Sequence, residues 1–142
     1  MMLRSVIVFF FFISIACTSI KSNQQMIITV ELDVFNGRPN PTWTLKTEES
    51  VKPINMLKSL PPVDNTPTED GLGYRGFVLS IHPEVMDSKG MVKDLPTSIR
   101  IFQGVIFMGG DKTTSYRDIH NIEKKLIIQA KQKGYSSIVD NI

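Results

Sequence analysis

Cysteine is nearly absent from this chain, since Cys17 is the only one among 142 residues. A single cysteine cannot form an internal disulfide, and this one lies beside an N-terminal apolar run. The chain has two histidines, His82 and His120, so cysteine and histidine together supply at most three ligands for zinc. Structural zinc sites take four protein ligands, and catalytic sites usually take three. The sequence therefore predicts no metal site, and no catalysis by a cysteine nucleophile.

A large excess of charge of one sign is also lacking. Sixteen basic and fourteen acidic residues give a formal net charge of +2. This balance excludes an electrostatic nucleic-acid binder and a strongly acidic mineral template. The glycine-rich run at residues 71–76 precedes a predicted strand instead of linking a strand to a helix, so it does not indicate a phosphate loop. With no Gly-x-Ser-x-Gly motif either, we predict no catalytic residues and no cofactor.

The N-terminus has the pattern of a secretory signal peptide. Arg4 precedes an apolar run at residues 6–16, which is shorter than the roughly 20 residues that a membrane span needs. Small residues at Ser14 and Ala16 favour cleavage before Cys17, and a cut after residue 19 is the alternative. We predict a signal peptide at residues 1–16, a secreted extracellular protein, and no membrane association after cleavage.

Alternation of apolar and other residues predicts the strands. Residues 26–35 have the clearest period of two, and residues 74–81 and 98–108 follow the same pattern. Gly104 interrupts the last of these runs, which indicates either a bend or a hairpin. A turn at residues 36–41 leads into a second short extended piece that contains Trp43.

Two helices are predicted from apolar spacings of three and four. The first spans about residues 47–60, with Ser50 as its N-cap because Pro53 then falls in the first turn. The second runs from about Asp118, its predicted N-cap, to residue 133, and Gly134 follows its end. Each strand and helix has one apolar face to bury. We therefore predict a single α+β domain at residues 22–142, with an antiparallel sheet of about four strands and two helices packed on one face.

Residues 33–43 concentrate turn-forming residues around one arginine and the only tryptophan. The segment is either a structural turn or a binding edge, in which Arg38 would pair with Asp33. The binding residues would then be Asp33, Asn36, Arg38 and Trp43. Glu31 and Asp33 share the less apolar face of the first strand, where their Cα atoms would be about 6.5 to 7 Å apart. An alternative function follows from them: a small secreted enzyme or ligand-binding module that uses Glu31, Asp33 and Arg38.

Together with residues 71–77 and 99–102, this segment resembles a family of small, mostly uncharacterised secreted proteins, whose metazoan form looks like the uncharacterised skeletal organic matrix proteins of stony corals. The resemblance spans residues 26–134 and carries no catalytic residues. It implies secretion and incorporation into an extracellular matrix, which can be a calcified skeleton. From it we predict a non-enzymatic matrix protein whose partner is a matrix protein, a polysaccharide or a mineral surface.

Overall fold

Six strands and three helices make up the part of the chain that the computed structural model describes, residues 28–64, 73–82, 92–109 and 113–142. The predicted signal peptide lies outside these residues. The strands are β1 (Ile28–Leu32), β2 (Thr42–Leu45), β3 (Phe77–Ile81), β4 (Ser98–Phe102), β5 (Val105–Met108) and β6 (Thr114–Arg117). The helices are α1 (Thr47–Leu57), α2 (Ile122–Ala130) and α3 (Ser136–Val139), the last two joined by Lys131–Tyr135, which breaks at Gly134.

The strands form one antiparallel sheet in the order β2-β1-β3-β4-β5-β6. Directly opposite residues of neighbouring strands lie on the same face, so Leu32, Phe77, Ile101 and Ile106 form one buried row. Both longer helices add residues to the same core: Ile54 and Leu57 from α1, and Ile122, Leu126 and Ala130 from α2. The prediction of an α+β domain with two helices on an antiparallel sheet is thereby confirmed.

The sheet has six strands where about four were predicted. The interrupted run at residues 98–108 is a hairpin, because Gln103 and Gly104 both have positive φ (49° and 72°) and form a two-residue turn. The strand β6 has the sequence Thr-Ser-Tyr-Arg, which lacks apolar alternation, and none of its four residues is buried. Its outer edge is paired with residues 61–63: Val63 donates to the Ser115 carbonyl, and Arg117 donates to the Pro61 carbonyl.

The predicted N-cap of α1 was wrong, since the helix begins one turn earlier, after Lys46. The Glu49 carboxylate accepts the backbone N–H of Lys46 at 2.9 Å, which fixes this earlier start. Ser50 lies inside the helix and is fully buried, and its hydroxyl donates to the Lys46 carbonyl at 2.8 Å. Pro53 is consequently located beyond the first turn.

The predicted N-cap position of α2 was wrong, since Asn121 and not Asp118 precedes the helix, but the Asp118 side chain still accepts hydrogen bonds from the first turn. The Asp118 carboxylate accepts the backbone N–H groups of Ile122 at 2.8 Å and Glu123 at 2.9 Å. The helix begins only at Ile122 because Asn121 has a left-handed conformation with φ of 53°. Asp118 thus caps α2 from outside its first turn.

We expect Asp118→Ala to lower the free energy of unfolding by about 1 to 2 kcal/mol, because two amides of α2 lose their acceptor. Urea denaturation measures the change. The control is Asp140→Ala, which removes an exposed ion pair with Lys131 and should cost less than about 0.5 kcal/mol. Equal losses in the two variants would contradict the capping role.

Candidate functional site

Asp33 follows β1 on the sheet face that points away from α1 and α2, which we call the open face. Although charged, it is only 6% exposed. Its Oδ1 forms an ion pair with Arg75, and its Oδ2 accepts a hydrogen bond from Arg100 Nη1 at 2.8 Å. The Asn40 amide donates to Asp33 at 3.2 Å. These four residues are the Asp33 cluster, and the predicted pairing of Asp33 with Arg38 was wrong.

Gly76 lies beside the Asp33 cluster, at a point where the backbone of β4 comes very close. The backbone N–H of Asp33 donates to the Gly76 carbonyl at 2.9 Å, which places Gly76 beside Asp33 on the neighbouring strand. Gly76 has φ of +94°, and a Cβ atom there would lie 2.0 Å from the Ile101 carbonyl oxygen. Arg100 of β4 reaches across β3, and its Nη1 also donates to the Arg75 carbonyl at 2.9 Å.

The ionisation of Asp33 is set by its two arginines. Burial alone would raise the pKa of Asp33, but the hydrogen bonds and charges of Arg75 and Arg100 outweigh burial and hold this pKa below its ordinary value of 3.8. Asp33 is therefore a carboxylate at neutral pH, and a poor proton donor there.

The lowered pKa of Asp33 predicts acid lability. The stabilisation is complete above the unfolded-state pKa and is lost as the pH falls through the lower folded-state pKa, so the free energy of unfolding should decrease below about pH 4. Urea denaturation between about pH 2 and pH 6 measures this profile. The Asp33→Asn variant should be less stable at neutral pH and show a flatter profile. Two parallel profiles would contradict the assignment.

The turn at residues 36–38 is anchored to the Asp33 cluster. Asn36 accepts a hydrogen bond from Arg75 Nη1 at 2.6 Å. The Asn40 Oδ1 accepts the backbone N–H groups of Val34 at 3.1 Å and Phe35 at 2.8 Å, which cross-links the turn. The Arg38 guanidinium is exposed and lies over the Phe35 ring, 3.5 Å from its centroid. Arg38 therefore borders the cluster without joining its ion pairs.

Glu31 and Asp33 lie together on the open face, as predicted. The Asn40 amide connects them, because it donates to Glu31 Oε1 at 2.7 Å as well as to Asp33. Sequence reasoning missed Asn40, Arg75 and Arg100. The motif at residues 71–77 contains Arg75, but nothing in it indicates that Arg75 meets Asp33.

Trp43 lies on the opposite side of the sheet from the Asp33 cluster. It is 8% exposed, and its ring packs against Phe77 and Tyr135, with centroid distances of 6.2 and 6.0 Å. Its Nε1 donates to Gln129 Oε1 at 2.8 Å, which ties β2 to α2. Of the four predicted binding residues, Asp33 and Asn36 contact the same arginine, Arg38 is nearby, and Trp43 belongs to the core.

A second polar cluster lies at the β4–β5 turn. The Glu123 carboxylate accepts hydrogen bonds from the Tyr74 hydroxyl at 2.6 Å and from the backbone of Gln103 at 3.1 Å and Gly104 at 2.7 Å. Burial, followed by the hydrogen bond and charge of Glu123, raises the pKa of Tyr74 well above its ordinary range. All these contacts attach α2 to the turn, so this cluster serves the fold.

Other features of a reactive site are missing from the described ranges. Within residues 28–64, 73–82, 92–109 and 113–142, no group of three or more His, Cys, Asp or Glu side chains is placed to hold a metal ion. A groove of about 80 Å³ lies between α1 and α2, where Pro53 and Met56 face Leu126, and none of the predicted site residues lines it. Each histidine contacts one hydroxyl: His82 contacts Thr29 at 3.1 Å, and His120 contacts Ser59 at 2.9 Å.

The open face carries two rows of aligned side chains. One row has only hydroxyls: Thr44, Thr29, Ser80 and Ser98, from β2, β1, β3 and β4 in turn. The next row crosses all six strands: Thr42, Glu31, Val78, Arg100, Phe107 and Ser115. The members of both rows are exposed or half-buried. In the part of the chain described, no helix has the length and apolar character needed to cross a membrane.

Comparisons with known proteins add no relative. The chain matches none of the protein-family models, none of the curated proteins and none of the solved structures with which it was compared. The geometry of the open face is therefore the basis for interpreting its function.

Proposed function

We propose that this chain is a secreted, non-enzymatic protein of an extracellular matrix, a calcified skeletal organic matrix being one such setting. The observation that carries the proposal is the open face, a broad sheet surface with one row of hydroxyl side chains and one row of mixed hydroxyl, charged and apolar side chains. A surface of this kind suits contact with an extended partner better than enclosure of a small molecule, which usually occupies a concave pocket.

The alternative, a small enzyme or ligand-binding module at Glu31, Asp33 and Arg38, receives less support. Both oxygens of Asp33 are occupied by Arg75 and Arg100, so this carboxylate is committed to internal ion pairs. Arg38 lies over Phe35 and does not converge with the two carboxylates. A ligand that displaced the arginines would have to replace both interactions.

Secretion rests on the pattern of residues 1–16 and has a direct test. When the full chain is expressed in eukaryotic cells, we expect the exported protein to begin at Cys17 or Ile20. N-terminal sequencing of the medium fraction decides between these sites. An exported protein that begins at Met1, or a chain retained in the cell, would overturn the secretion part of the proposal.

Matrix binding is tested with the exported chain on chitin, collagen and calcium carbonate, each with and without calcium. We expect retention on at least one of these materials, and unchanged retention for Arg38→Ala, because Arg38 lies outside the two rows. If the protein bound none of the three materials, the proposal would be overturned. A small molecule bound at Glu31 and Asp33, with its affinity lost in Arg38→Ala, would establish the alternative.

A further inference from the structure

Glu31 and Arg100 face each other across Val78 on the open face. Register pairs Glu31 with Val78 and Val78 with Arg100, so the three side chains lie in one row. At about 4.8 Å per strand, the Cα atoms of Glu31 and Arg100 are roughly 9.6 Å apart. No salt bridge joins the two among the described residues. The half-buried Val78 side chain is therefore an apolar surface between the Glu31 carboxylate and the Arg100 guanidinium.

Glu31 and Arg100 each use only some of their polar atoms in hydrogen bonds among the described residues. Asn40 donates to Oε1 of Glu31, and the described residues supply no partner for its Oε2. Arg100 uses Nη1 for Asp33 and for the Arg75 carbonyl, and within the described ranges its Nε and Nη2 form no hydrogen bond. Its side chain is 33% exposed. The Asp33 cluster therefore fixes both groups in position, while each keeps a free polar edge, which lowers the ordering cost of binding.

The residues beside Glu31 and Arg100 in the row offer both apolar and hydroxyl contacts, and a sugar ring needs both. Phe107 lies next to Arg100 in the row and is a half-buried aromatic ring, against which an apolar sugar face can pack. Thr42, beside Glu31 at the other end, adds a hydroxyl that can donate or accept. A carboxylate accepts from sugar hydroxyls, and a guanidinium donates to them.

The charge and the shape of the row further limit the chemical class of partner that it can bind. The charges of Glu31 and Arg100 cancel, and the free carboxylate oxygen of Glu31 repels the sulfate groups of a sulfated chain. Six strands at about 4.8 Å spacing make the row roughly 24 Å long, which suits a chain of sugars. Neighbouring strands rotate by about 20 to 25°, so a flat crystal lattice cannot follow the row, whereas a single flexible chain can.

We propose that the open face binds a single chain of a neutral polysaccharide along this row, with a sugar seated over Val78 between Glu31 and Arg100. This inference rests on the proposed matrix function and names its partner. The other matrix partners, protein and mineral, are outcomes of the test.

The test measures binding of the full chain to soluble hexamers of chitin and of cellulose, with collagen, heparin and calcium carbonate crystals as the other probes. We expect affinity for a neutral probe and a loss of roughly tenfold or more for Val78→Lys, which fills the seat with a charged side chain. The matched control is Asn55→Lys, which adds the same charge on the exposed side of α1 and should leave binding unchanged. Glu31→Gln retains an acceptor for Asn40 and should lose severalfold in affinity. Thermal denaturation confirms that each variant is folded.

The outcomes separate this inference from the proposed function. Binding to collagen, heparin or carbonate alone would leave a matrix role in place and overturn the site for a neutral polysaccharide. Equal affinities of the Val78→Lys and Asn55→Lys variants for chitin hexamer would also overturn the site. Binding to no material at all would overturn both proposals.

Discussion

Alanine in place of Gly76 is expected to prevent folding or to lower the free energy of unfolding by at least about 4 kcal/mol. The added Cβ would lie 2.0 Å from the Ile101 carbonyl oxygen and 2.9 Å from the Phe102 Cβ. Ile101 belongs to β4, which is paired on both sides, so its backbone cannot move away without breaking the sheet. The yield of exported protein and urea denaturation of any soluble fraction measure the effect.

Gly73→Ala is the matched control for this substitution. Gly73 also has a positive φ of +103°, but a Cβ there would meet no atom within 4 Å. Its cost is therefore limited to the left-handed backbone, about 1 to 2 kcal/mol. Equal losses in the two variants would show that close approach of β3 and β4 is not the reason for glycine at position 76.

Asp33→Ala is expected to have the second largest effect, a loss of about 3 kcal/mol in the free energy of unfolding. The substitution leaves Arg75 and Arg100 together without their carboxylate, and both are partly buried, with side chains 19% and 33% exposed. The partial exposure of Arg100 places the loss at the lower end of the range for a broken buried ion pair. Urea denaturation at neutral pH measures the loss.

The surface residue Asp140 again supplies a control, because both side chains of its ion pair with Lys131 are exposed to solvent. Asp33→Ala should be far more destabilising than Asp140→Ala. Asp33→Asn should fall between them, since an amide oxygen can still accept a hydrogen bond from one arginine but carries no charge. If the losses of Asp33→Ala and Asp140→Ala were similar, the cluster would not stabilise the fold.

The sheet core could be predicted from the sequence because burial on one face imposes a period of two. That pattern identified β1, β3 and β4 together with their inward residues. It failed for β6, which shows no apolar alternation because none of its four residues is buried. The start of α1 was missed because a glutamate side chain stabilises an N-terminus that Pro53 alone would have placed later.

The candidate site was only partly predictable. Alternation placed Glu31 and Asp33 on one face, which needs no knowledge of other strands. The partners of Asp33 are 42 and 67 residues away along the chain, and their approach depends on the strand order of the sheet. Arg38, the arginine nearest to Asp33 in sequence, was therefore favoured over Arg75 and Arg100, and the local pattern contained nothing to correct this choice.

The pairing of residues 61–63 with β6 has a consequence for behaviour at high concentration. An exposed strand edge is a template onto which other chains add, and this is how many β-proteins aggregate into fibres. Here the edge is occupied by a segment that contains Pro61 and Pro62, neither of which has an N–H to offer to an incoming strand. Addition of another strand at the β6 edge is therefore disfavoured, which removes one of the two ends of the sheet as a starting point for fibrils.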